Sequence, residues 1–162
     1  MRLRILSIGR MKSGPEQDLI ARYQKRAKVM GRALGISDFD IVEIPESKAR
    51  REQERQSEEM DALLQKTSDA RLIIFDERFP SPSSEEFSEK LGQWKDSGVS
   101  QAVCIIGGPD GIAPELRNKA HWGVSFGKLS FPHQLVRVLV MEQLYRSVTL
   151  LAGHPYHRSG QG

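Results

Sequence analysis

Residues 105–111 read IIGGPDG: an apolar run ends at two adjacent glycines, and a third follows Pro109 and Asp110. Glycine has no Cβ, so a backbone turning through such a bend can approach a ligand with nothing in the way. The spacing is neither GxGxxG nor GxxxxGK[ST], which removes the main support for a dinucleotide loop or a nucleoside-triphosphate loop. On spacing alone, a plain turn and a ligand-holding loop explain the bend equally well. Further on, FPHQLVRVLVMEQLYR (131–146) opens a helix at a proline. With Pro132 in the first helical position, Phe131 falls at the cap and has no side-chain acceptor to offer. The N–H groups of His133, Gln134 and Leu135 then need another partner. A structural acceptor, water, a ligand carboxylate or a ring acceptor would serve. Phe126, Leu129 and Phe131 suit the face of an aromatic ring. Bend and open helix end together would make a pocket for something flat, polar and partly anionic.

The imidazoles are His121, His133, His154 and His157. HPYH (154–157) reads as a metal pair, but no third ligand can be named, so no metal site is expected. The tail GHPYHRSGQG is rich in groups that stack and donate hydrogen bonds. Tyr156, His157 and Arg158 are therefore candidate nucleic-acid contacts. Residues 159–162 are expected to be a disordered tail.

Strands and helices alternate along the chain. LRILSI (3–8), FDIVEI (39–44), RLIIFD (71–76), AVCIIG (102–107) and WGVSF (122–126) read as strands. RLIIFD and AVCIIG are continuously apolar, as strands covered on both faces should be. Helices are expected from Pro15 to about Met30, from about Ser47 to Lys66, after a Ser83/Glu86 capping box, over Pro114–Ala120, and from Pro132 onward. This alternation predicts one α/β domain over 1–158, a mainly parallel sheet flanked by helices. Such sheets place ligands beyond the carboxyl ends of their strands. Three loops qualify: those after Phe75-Asp76, after Ile106, and between Phe126 and Pro132. The last helix is apolar on nearly every side, from Leu135 to Leu151, and such a helix is buried all round. One sheet covers one face, so a second copy of the chain is the expected cover for the other; a central helix within one subunit is the competing reading and asks much of the remaining helices.

The totals agree with a folded domain. At 162 residues, with 38% hydrophobic and 28% charged residues, the chain is long enough to bury roughly 70% of its unfolded surface. No apolar run approaches the ~20 residues that span a bilayer, and no signal peptide is expected. The single cysteine, Cys104, lies in an apolar run and reads as a reduced core thiol in a cytoplasmic protein. Net charge is only +3, but Arg22, Lys25, Arg26, Lys28 and Arg32 cluster without balancing acids. Lys48, Arg50, Arg51 and Arg55 are interleaved with glutamates, which suggests helical ion pairs. The first cluster leaves nucleic acid open.

IIGGPDG, then FPHQLVRVLVMEQLYRS, then HPYHR together resemble the RlmH family of small SPOUT-class methyltransferases. LRILSIGR at the N-terminus and the chain length fit as well. The carboxyl-terminal sixty or so residues carry most of the resemblance, and the segment 47–66 almost none. The resemblance implies an α/β fold whose C-terminal part forms a trefoil knot, and a homodimer packed partly through the last helix. It implies S-adenosylmethionine, held by Phe75, Gly107 and the loop Phe126, Gly127, Lys128, Leu129, Ser130 and Phe131. The implied product is N3-methylpseudouridine in 23S rRNA of the assembled ribosome. His133, Arg137, Tyr156, His157 and Arg158 are the expected substrate contacts. For the proton that the ring nitrogen must lose, His157 is the first candidate acceptor and Glu142 the second. The competing readings are a noncatalytic ribosome-associated factor with the same pocket and, against the missing GxGxxG, a nucleotide-dependent oxidoreductase.

Overall fold

The computed structural model describes residues 1–158; the expected tail at 159–162 lies outside the described residues. Five strands form one sheet in the order β2-β1-β4-β3-β5, and every neighbouring pair is parallel. They are β1 (Arg2–Ile8), β2 (Ser37–Ile44), β3 (Arg71–Phe75), β4 (Gln101–Ile106) and β5 (Trp122–Val124). Between and after them run α1 (Pro15–Arg32), α2 (Glu52–Leu64), α3 (Ser84–Asp96), α4 (Pro114–Asn118) and α5 (His133–Leu151).

The apolar strands are explained by the helices on both faces. Side chains alternate across a strand, so each strand feeds two cores. Leu3, Ile5, Ile73, Phe75, Cys104 and Ile106 join one core with residues of α1, α3 and α5. Leu6, Ile8, Leu72, Ile74, Val103 and Ile105 join the other with Leu63 of α2 and Leu116 of α4. Cys104 is fully buried, and burial pushes its thiol pKa up to about 12, so it stays a neutral core group.

The capping box of α3 forms as expected: Ser83 Oγ accepts from Glu86 N, and the Glu86 carboxylate accepts from Ser83 N. Two expectations are corrected. α2 begins at Glu52, not near Ser47: residues 45–49 after β2 have no regular secondary structure. α5 is covered mostly within one subunit. α1 and α3 flank it and the sheet lies beneath, so Val138, Val140, Met141, Leu144, Tyr145 and Val148 are all buried without a partner. Its apolar circumference alone therefore does not require a second copy. What remains outward is a narrow strip, with Leu135 exposed and Leu139 and Leu150 half-buried.

Candidate functional site

The carboxyl ends of β3, β4 and β5 open together into a cleft of about 1100 Å³. All three loops singled out by sequence line it: Phe75 to Arg78, Ile106 to Ile112, and Ser125 to Phe131 save Lys128, along with His133 and Val136 at the start of α5. The β3 and β5 loops meet through aromatic rings, with Phe75 and Phe126 stacked at 5.3 Å between centroids and 20° between planes. Ser125 ties the β5 loop to itself: its hydroxyl donates to Gly127 O at 2.9 Å and accepts from Gly127 N at 2.8 Å. That turn carries Gly127 to φ +106°, where a side chain would be strained.

The glycine bend is a closed turn. Gly111 N donates to Gly108 O at 2.9 Å, and Gly111 sits at φ +78°. A Cβ on Gly107 would stand 3.1 Å from both the carbonyl carbon and the oxygen of Gly111. Backbone cannot swing aside as a side chain can, so a side chain at 107 would force the bend to give by a few tenths of an ångström. Gly108 is equally confined, since its Cβ would meet Ile8 Cγ2 at 2.8 Å.

Polar contacts hold this bend from both ends. At its tip the Arg55 guanidinium of α2 donates twice to the Asp110 carboxylate, at 2.6 and 3.0 Å, and Gln56 Nε2 donates to Asp110 O at 2.7 Å. At its exit Arg117 donates to Ile112 O at 2.9 Å and to Asp76 at 3.0 Å, joining the turn to the end of β3. The bond from Arg55 holds the Asp110 carboxyl below the usual carboxylate range. Glu59, one turn further along α2, is buried near Gly108 and accepts from Ser47 N at 3.0 Å. Burial raises its pKa, with that backbone bond pulling the other way. The glutamates interleaved with Lys48, Arg50, Arg51 and Arg55 suggest ion pairs within one helix for Arg55. Arg55 reaches across to the glycine turn instead. An acidic residue inside a glycine-rich turn was the one signal that a cation from elsewhere would meet it.

α5 starts one residue later than expected, with Pro132 as the cap and His133 the first helical residue. The consequence for the site is unchanged. No side chain caps this end, Val136 N is the first to donate back to Pro132 O, and His133 and Val136 line the cleft. A ligand acceptor in the cleft therefore faces an open, electropositive helix end.

Several expected site residues lie elsewhere. Lys128 is exposed and does not line the cleft. Arg137 is only 2% exposed; it donates to Ile8 O at 2.7 Å and Gly9 O at 2.8 Å, closing the end of β1. Sealed from solvent at 2% exposure, with its Nη2 held by two backbone carbonyls, the side chain is not placed to meet RNA. Glu142 lies nine residues beyond His133, about 13 Å along the helix axis. There its carboxylate accepts from Arg146 and from Tyr156 Oη, the latter at 3.0 Å. His157 completes the cluster, with Nδ1 3.1 Å from Arg146 and Nε2 2.8 Å from Glu85. Tyr156 packs on Tyr145 at 4.6 Å, and burial beside Glu142 raises its pKa. Arg158 follows, exposed, and none of Glu142, Tyr156, His157 or Arg158 lines the cleft. Within one chain, the proton-acceptor candidates and the cleft are separate places.

A parallel sheet with a cleft at its carboxyl ends, floored by a glycine turn and an open helix N-terminus, defines an α/β protein built to bind a ligand on backbone groups. The family described as "Predicted SPOUT methyltransferase" matches residues 1–157, and the chain belongs to it. Among curated proteins it is 49% identical over 160 residues to "Ribosomal RNA large subunit methyltransferase H" of Bradyrhizobium sp. (strain ORS 278), covering 98% of this chain and 99% of that one. It is 48% identical over 159 residues to the protein of the same name in Nitrobacter hamburgensis, covering 98% and 99%. Among solved structures, a probable methylase family protein from Haemophilus influenzae shares the fold, with TM-score 0.51 and 15% identity over 97% of this chain and 70% of that one. No helix among the described residues is long and apolar enough to cross a membrane.

Proposed function

We propose that this protein transfers a methyl group from S-adenosylmethionine to N3 of a pseudouridine in 23S rRNA of the assembled ribosome, in the cytoplasm, as a homodimer. The observation that carries the reading is the cleft, in which a closed glycine turn, a stacked Phe75–Phe126 wall and the uncapped start of α5 converge. Membership of a methyltransferase family and relatives named for ribosomal RNA supply the reaction class and the substrate.

The residues present fit the cofactor. Ile106 to Gly111 offer backbone to an adenosine, Leu129 and Phe131 an apolar cover, and the N–H groups of His133, Gln134 and Leu135 a place for the methionine carboxylate. When bound, S-adenosylmethionine supplies a methyl on a cationic sulfur, which passes to a ring nitrogen that gives up its proton. The protein's part is orientation: holding donor and acceptor about 3 to 3.5 Å apart in line is worth several kcal/mol. Because a positive helix end attracts the carboxylate and repels the sulfonium, the reacting methyl points away from α5.

The proton acceptor is the step a single chain leaves open. His157 lies along α5 from the cleft, so we infer that the tail of one copy completes the cleft of the other, with Tyr156, His157 and Arg158 meeting RNA there. The outward strip of Leu135, Leu139 and Leu150, with exposed Val29 on α1, is the apolar surface available for such pairing. The trefoil knot of the C-terminal part belongs to the same reading. The test is incorporation of radiolabelled methyl groups into ribosomes from cells lacking this protein, followed by mass spectrometry of the rRNA. Label at N3 of a single pseudouridine supports the reading. Cofactor binding without any incorporation would establish the noncatalytic factor instead.

A further inference from the structure

We propose that Arg55 is a positioning residue for the cofactor site, acting through Asp110 on the glycine turn. The inference rests on the methyltransferase reading and adds to it a helix that carries almost none of the family resemblance. Its ground is the geometry of one side chain. Arg55 holds both oxygens of Asp110, at 2.6 and 3.0 Å, and the same guanidinium donates to Ala49 O at 3.1 Å and Arg50 O at 2.9 Å. Gln56 beside it takes Asp110 O at 2.7 Å.

One planar fork therefore ties the start of α2 both to the residues just ahead of it and to the tip of the turn between β4 and α4, 55 positions away in the chain. The turn has little else to fix its tip. Pro109 carries no N–H, Gly111 closes back on Gly108, and Gly107 and Gly108 have no side chains with which to anchor. Both partners of the ion pair are roughly three-quarters covered, with side chains 27% and 23% exposed, so the pair is shielded more than a surface pair would be. A lysine could supply the charge but not the fork, because two parallel donors on one carboxylate fix direction as well as distance. The fork sets where the backbone of Gly107 to Gly111 lies in the cleft, and so how tightly that backbone holds the adenosine end of the cofactor.

The test is calorimetric titration of S-adenosylmethionine into the full-length wild type, Arg55→Lys, Arg55→Ala, Asp110→Asn and the Arg55→Ala/Asp110→Asn double variant, with thermal melting of each. The expected result is a loss of affinity of about tenfold in both single alanine and asparagine variants, and no further loss in the double variant, since the two act as one unit. Arg55→Lys should fall nearer to Arg55→Ala than to wild type. In turnover assays the loss should appear in KM for the cofactor, with kcat at saturating cofactor retained. Affinities within twofold of wild type, or losses that simply follow the melting temperature, would overturn the proposal while leaving the methyltransferase reading intact. A wild-type protein that takes up no S-adenosylmethionine would remove both.

Discussion

Helix α5 serves two polar regions built on opposite rules. At its first turn the backbone N–H groups lack a side-chain cap and face a cleft, with glycines opposite them. Halfway along, Glu142, Arg146, Tyr156, His157 and Glu85 each satisfy one another, and an aromatic ring lies under the Arg146 guanidinium at 5.0 Å. Open backbone groups in a shaped hollow serve binding, because a ligand completes them. A side-chain network whose members bond one another serves structure first. Damage in the first region should therefore appear in cofactor affinity and turnover together; damage in the second should leave cofactor affinity alone and appear in stability or, where the tail itself is altered, in turnover.

The sharpest break between the regions comes from Gly107→Ala. A methyl group 3.1 Å from the Gly111 carbonyl forces the bend to give by a few tenths of an ångström; since a 1 Å misplacement costs about 100-fold in rate, a shift of this size costs about tenfold. Methyl incorporation should fall by about that factor while the melting temperature shifts little. An unchanged rate would mean that the turn is not part of the site.

If His157 is the proton acceptor, His157→Ala loses turnover as Gly107→Ala does, and mixing these two impaired variants tests whether the regions meet across a dimer. Gly107→Ala chains retain the tail, and His157→Ala chains retain the cleft. If tails act in the other copy's cleft, an equal mixture re-forms one sound site in each mixed dimer, restoring about a quarter of wild-type activity. If each tail serves its own cleft, the mixture stays impaired.

Glu142→Ala should mark the second region as structural. It strips a carboxylate from both Arg146 and the Tyr156 hydroxyl, and leaving such partly buried groups unpaired costs about 1–3 kcal/mol. Denaturant unfolding should show that loss, with S-adenosylmethionine affinity within twofold of wild type.

The smallest effect concerns pH. The carboxyl of Glu59 has a folded-state pKa raised by burial, so the unfolded chain ionises first as pH increases. Its contribution to stability is complete below the unfolded value of about 4.3 and is lost as pH rises through the folded value. Glu59→Gln, which keeps an acceptor for Ser47 N, should therefore melt slightly higher than wild type at pH 7. The difference should vanish below about pH 4. Equal melting at every pH would show that the buried carboxyl bears no such cost.

The first of these regions was more legible in the sequence than the second. Glycines, a proline and a missing cap are local signals for the bend and the open start of α5, and the strand alternation points to the three loops at the carboxyl ends of the sheet. Strand periodicity likewise fixed the alternating fold, since RLIIF and AVCII leave no solvent face. What escaped was contact at long range. Nothing within residues 47–66 points to residue 110, yet Arg55 finds its partner there. Arg137, an expected substrate contact, is sealed against the end of β1, to which it bonds across 128 and 129 positions of sequence. The apolar girth of α5 was read correctly as burial, but it was assigned to the wrong cover: α1 and α3 supply most of it.

The most direct measurement is a structure of the protein with S-adenosylhomocysteine. The ligand's carboxylate is expected within hydrogen-bond distance of the N–H groups at His133 to Leu135, and its adenosine against Gly107 and the Phe126–Phe131 loop. A ligand bound elsewhere, or one whose sulfur rather than carboxylate meets the start of α5, would contradict the account.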